Sequence, residues 1–96
     1  MPEALSDAEI TRALGGLARW RGDATHLSRT VRLPAQEHST LIGLVQRDVA
    51  DLSDHAQFER RPDELTFTVT TGRPGAVTAP DVWLAERIEA AIATLA

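Results

Sequence analysis

Cysteine is absent from the chain, which excludes disulfides, thiolate catalysis and cysteine–zinc sites. Lysine is absent too: arginine supplies all ten positive charges of the 96 residues, a usage that reflects a GC-rich genome rather than a chemical requirement. Basic charge is in short supply overall. The net charge of −4 and a pI near 5.2 leave no excess for general nucleic-acid binding, so no nucleic-acid partner is expected. No apolar run approaches the ~20 residues that a membrane span needs. The opening M-P-E-A-L-S-D lacks the basic-then-apolar plan of a signal peptide, and the expected compartment is the cytoplasm, without membrane contact. His26, His38 and His55 share no metal-ligand spacing, so neither a metal nor a resident cofactor is expected.

What remains is an ordinary globular composition, 43% hydrophobic. A chain of this length buries roughly 60–65% of the surface that its unfolded form exposes. One domain spanning residues 1–96 with a single two-layer core is therefore expected.

Hydrophobic periodicity divides that domain. Ser6 and Glu9 form an S-x-x-E capping box ahead of a helix whose inner face carries Ile10, Ala13, Leu14 and Leu17. Trp20 follows in a short extended segment broken at Gly22-Asp23. From His26 to Leu33, Leu27, Val31 and Leu33 share one side of a period-2 pattern that Arg29 interrupts. Pro34 suits the first turn of a longer helix, expected to run to about Ser53 with Leu41, Leu44, Val45, Val49 and Leu52 inward. A second hairpin joins Gln57–Arg61 to Leu65–Thr71 through a Pro62-Asp63 turn. In its second strand Leu65, Phe67 and Val69 alternate with Thr66, Thr68 and Thr70, the signature of a half-buried antiparallel strand. Thr78 is an N-cap with Asp81 three residues on. The last helix turns Val82, Ala85, Ile88, Ile92 and Leu95 inward and leaves Trp83 off the core face. The order α-β-β-α-β-β-α defines an α+β two-layer sandwich: a four-stranded antiparallel sheet with three helices on one face.

The stretch from Asp51 to Ile88 resembles the most diagnostic part of the pterin-4a-carbinolamine dehydratase family, also called 4a-hydroxytetrahydrobiopterin dehydratases. Leu17-Ala18-Arg19-Trp20 is similar to the family's helix end and following tryptophan. The segment from Leu27 to Leu33 is similar to its second strand, where an arginine commonly sits. Gly75 to Asp81 with Leu84, Ala85 and Ile88 resembles the G-x-T-x-x-D-x-x-L-A-x-x-I opening of its last helix, offset by one residue at the glycine.

The resemblance implies water elimination from a 4a-hydroxy-tetrahydropterin, chemistry that needs one group to protonate a leaving hydroxyl and another to accept a ring proton. Imidazoles suit both tasks near neutral pH. The family's H-H-P signature falls here on Asp54, His55 and Ala56, and the histidine after the second strand falls on Gly72. The acidic residue usual four positions before the first histidine is Ala50, with Asp51 one place along. The catalytic candidates carried over are thus His55, Asp54 and Asp81, and the substrate-binding candidates are His55, Gly72, Arg73 and Asp81.

Each candidate has a plainer reading. His55 is also a polar residue at a helix-to-strand junction, Asp54 a solvated helix end, Asp81 a helix cap, and Gly72 the positive-φ residue of a turn. Arg60, Arg61 and Arg73 stand near the expected pocket in sequence, where they would bind an anion or merely guard a strand edge. Two functions stay open: a dehydratase-like scaffold with lost or altered activity that binds a ligand or a protein, and an active dehydratase with a remodelled site. The expected partners are a pterin-like small molecule, a further protein, and copies of the chain in a homodimer or homotetramer.

Overall fold

The computed structural model describes residues 4–48, 56–72 and 75–95. Its elements run α1 (Asp7–Gly16), β1 (Arg21–Gly22), β2 (Leu27–Arg32), α2 (Ala35–Asp48), β3 (Ala56–Arg61), β4 (Glu64–Val69) and α3 (Ala79–Leu95). All strand pairs are antiparallel and the sheet order is β1-β2-β4-β3. The α+β two-layer sandwich expected from the element order is the observed architecture.

The central strand is β4, where the threonine alternation read from sequence becomes a strict inside–outside pattern. Leu65, Phe67 and Val69 are wholly buried, and Phe58 of β3 meets Phe67 edge-on with ring centroids 5.3 Å apart. Opposite the core, Thr30 and Thr66 share a hydrogen bond of 2.8 Å across the β2–β4 pair.

The helices close the other layer. At the start of α1 the capping box forms in full: the Ser6 hydroxyl accepts from the Glu9 amide at 3.2 Å, and the Glu9 carboxylate accepts from the Ser6 amide at 3.0 Å. That backbone bond, with the Ser6 side chain, holds the Glu9 carboxyl below its usual range. On α2 the buried stripe is His38, Leu41 and Val45. Val49 and Leu52, expected on the same stripe, lie outside the described residues. Pro34 precedes the helix rather than opening it, and its carbonyl accepts from the Glu37 amide. On α3, Leu84, Ala85, Ile88 and Ala91 are buried with Asp81, while Trp83 stands half exposed.

Two features of the β2 layer were not legible as such. First, β1 is only two residues long, and Gly22 in it has φ 143°, a conformation that L side chains rarely adopt. A Cβ added there would lie 2.1 Å from the His26 carbonyl oxygen. Gly22→Ala is therefore expected to cost about 2 kcal/mol, read as a lowered urea midpoint at unchanged m-value. Second, Arg29 breaks the apolar side of β2 without leaving the core. It is buried beside Trp20, and both donate to the Glu89 carboxylate of α3, Arg29 Nε at 2.5 Å and Trp20 Nε1 at 3.0 Å.

His38 is the other buried polar group that periodicity alone does not announce. Its Nε2 lies 2.8 Å from the Leu33 carbonyl oxygen, and Arg60 Nε donates to its Nδ1 at 3.4 Å. Nε2 thus faces an acceptor and Nδ1 a donor. Among the described residues no helix is long and apolar enough to cross a membrane, and no group of three or more His, Asp or Glu is placed to hold a metal.

Candidate functional site at the start of the last helix

Past β4 the chain makes a turn that seats the start of α3 against the end of the sheet. Thr71 and Ala76 exchange amide–carbonyl bonds of 2.9 and 3.0 Å, and Gly72 takes φ 77° to close the turn between them. The position that the resemblance assigns to a histidine is thus a left-handed turn residue. A histidine side chain there would meet backbone strain, and glycine supplies no acid–base group.

The same turn is tied on both flanks. Thr70 Oγ1 donates to the Thr25 carbonyl at 2.6 Å, and the Val77 amide donates to the Ala24 carbonyl at 2.8 Å. From the N-terminal segment the Leu5 amide donates to the Val77 carbonyl at 2.8 Å. The site is therefore framed by the β1–β2 connection, the 70–78 turn and the first turn of α3.

Asp81 sits at the centre of this frame and is wholly buried. Its Oδ2 accepts from Thr71 Oγ1 at 2.7 Å, from the Thr78 amide at 2.9 Å and from Thr78 Oγ1 at 3.0 Å. The T-x-x-D spacing predicted a cap. The structure adds that a single carboxylate oxygen gathers both hydroxyls, which themselves lie 3.3 Å apart. Chemically this is a carboxylate at a helix N-terminus, where the exposed amides and the macrodipole favour negative charge.

Among the sequence-predicted site residues, the structure places Gly72 and Asp81 in one turn-and-helix unit. Asp54, His55 and Arg73 lie outside the described residues. Ala56, the third residue of the degenerate signature, opens β3 as a buried core residue opposite Val69. Val69 also pairs with Leu27, so His26 stands at the same end of the sheet as the signature. Sequence spacing gave no reason to associate those two segments, since the association comes from the β2–β4–β3 register. The His26 ring contacts its own turn, with Nδ1 3.0 Å from Thr25 Oγ1. Asp23, whose carboxylate accepts from both the Thr25 hydroxyl and amide, is held below its usual pKa by those bonds.

Arg60 and Arg61 lie away from that end of the sheet, and Arg73 lies outside the described residues. Arg60 and Arg61 pair with Leu65 and Glu64 at the closed end of the β3–β4 hairpin, the opposite end of β3 from Ala56. Four to five residues at ~3.3 Å each separate them from the site. Arg60 reaches His38, and Arg61 pairs with Glu59 at 2.7 Å on the exposed edge strand, which raises its pKa. Of the two readings open for these arginines, the guarded strand edge fits Arg61, because a strand carries its two ends apart.

An α+β sandwich with an aspartate-capped last helix beside a turn at the end of the central strand is the class that fold and site together define. The comparisons make it specific. The family model described as pterin 4 alpha carbinolamine dehydratase matches residues 3–91. A Nocardia farcinica (strain IFM 10152) protein named "Putative pterin-4-alpha-carbinolamine dehydratase" is 35% identical over 91 residues, covering 91% of this chain and 93% of that protein. The crystal structure of a Brucella melitensis transcriptional coactivator/pterin dehydratase has the same fold, with a TM-score of 0.80 at 17% identity over 93% of this chain and 98% of that one. The chain belongs to the pterin-4a-carbinolamine dehydratase family.

Proposed function

We propose that this family member has lost or altered the dehydratase activity and keeps the scaffold to bind a ligand or a protein. One observation carries the reading: the acid that matches the family pattern, Asp81, is buried with three donors on one oxygen, while the neighbouring histidine position is a left-handed glycine. A carboxylate so engaged is a helix cap first. To act as a base it would have to give up bonds that hold the first turn of α3. Loss of one general acid or base typically costs ~10²–10⁴-fold in rate, and here two of three histidine positions hold other residues. His55 and Asp54 remain the groups through which altered chemistry would run, with Gly72 and Arg73 bordering the same ligand. Pterin chemistry is supported by the family membership, and a protein partner by the coactivator name that the Brucella protein carries.

The test combines turnover with binding. Against a family member that has the full H-H-P signature, dehydration of 4a-hydroxy-tetrahydropterin is expected to be slower by about 10⁴-fold or more. Turnover within tenfold of that reference would establish the active, remodelled enzyme instead. Calorimetric titration with a reduced pterin, alongside His55→Ala, then separates the two kinds of scaffold. Micromolar binding weakened by the substitution marks a pterin pocket at the signature. No heat up to millimolar pterin directs the search to a protein partner.

A further inference from the structure

A second feature lies away from the Asp81 turn and owes nothing to the pterin reading. We infer that the outer face of the β1–β2 hairpin is a binding site for a small phosphate-type oxyanion, clamped between Arg19 and Arg21 over the hydroxyls of Ser28 and Thr30. These four residues line one cleft of about 280 Å³.

The sequence builds the cleft in a simple way. Trp20 is drawn into the core, its indole N–H fixed on Glu89 and its amide on the Leu17 carbonyl. That amide–carbonyl bond closes a turn that carries Arg19 exposed at its corner, while Arg21 opens β1 on the exposed side of the buried Trp20. Arg21 pairs directly with Ser28 across the β1–β2 ladder, and Thr30 follows Ser28 by two residues on the same face. The anchor is rigid because Trp20 and Arg29 both donate to Glu89 beneath it.

Two arginines that line one cleft with two hydroxyl side chains match the chemistry of a doubly charged oxyanion. Arginine presents planar, bidentate donors to phosphate, and Ser and Thr add neutral hydrogen bonds. Neither Arg19 nor Arg21 is ion-paired among the described residues, in a chain whose net charge is −4. Had these arginines only guarded the edge strand, nothing would require both to face one concavity. Arg19 also forms a wall of an adjoining cleft of about 450 Å³ that Leu17, Ala18, Glu86 and Glu89 line, which leaves room for a hydroxylated rather than an acidic body attached to the phosphate.

The experiment is amide NMR of the whole chain at constant ionic strength, titrated with inorganic phosphate in one arm and glycerol 3-phosphate in the other. Saturable shifts centred on Arg21, Ser28 and Thr30 are expected. Arg19→Ala and Arg21→Ala should each weaken the apparent affinity about tenfold or more. Arg12→Ala, on another face, should leave it unchanged. Tighter binding of the ester identifies a phosphomonoester as the ligand class, and equal binding identifies free phosphate. Absence of saturable shifts, or shifts that respond equally to Arg12→Ala, would overturn the assignment. A spectrum otherwise like that of the parent chain certifies that each variant is folded.

Discussion

Asp81→Ala is expected to destabilise the protein by about 3–4 kcal/mol, because three donors lose their acceptor at once, two of them on the buried Thr78. The Thr78 amide and hydroxyl and the Thr71 hydroxyl all end on the same carboxylate oxygen. Loss of an N-terminal cap alone costs about 1 kcal/mol. The remainder reflects buried polar groups left without partners, each about 1–3 kcal/mol before relaxation. Asp81→Asn provides the informative contrast. An amide oxygen can still accept from one or two of these donors, but its N–H₂ must then find an acceptor in the same crowded space, and the favourable charge at the helix start is gone. A loss of about 2 kcal/mol is expected for it. Urea unfolding of the two variants reads the difference directly. If both retained parental stability, the cap would contribute nothing and Asp81 would be free for catalysis, contrary to the proposed function.

The sheet and its inner face were legible because their information is local and periodic. Leu65, Phe67 and Val69 announce β4 by alternation, and Thr78 with Asp81 announces the start of α3 by spacing. Trp83 was correctly left off the core face for the same reason. What periodicity could not supply was the identity of partners far apart in sequence. His38, read from sequence only as lacking metal-ligand spacing, is buried with the Leu33 carbonyl and Arg60 on either side of it. Arg60 and Arg61, close to Ala56 in sequence, are set apart from it by the length of β3. The candidate site was legible by resemblance rather than by physics: the spacing of Asp54, His55, Gly72 and Asp81 alone gives no reason to associate them, and among the described residues it is the strand register that sets Ala56 beside Val69. That register also draws in His26, which no motif marked.

Removal of Glu89 is the second large expected effect, and it tests the anchor under the β1–β2 hairpin. Arg29 is almost completely buried and its Nε donates to Glu89, while its Nη1 donates to the Thr30 carbonyl. Glu89→Ala leaves that guanidinium without its counter-charge and leaves the Trp20 indole N–H without its acceptor. Breaking one side of a buried pair costs about 3–5 kcal/mol. The carboxylate is itself 31% exposed, so water enters the gap and about 3 kcal/mol is the expected loss. The double variant Arg29→Met, Glu89→Leu then separates charge from packing. Exchanging both members of a buried pair for apolar groups of similar volume is often neutral, so most of the lost stability should return. Recovery to within about 1 kcal/mol of the parent would assign the cost of Glu89→Ala to the orphaned charge. Failure to recover would assign it instead to the Trp20 hydrogen bond, which neither new side chain can replace.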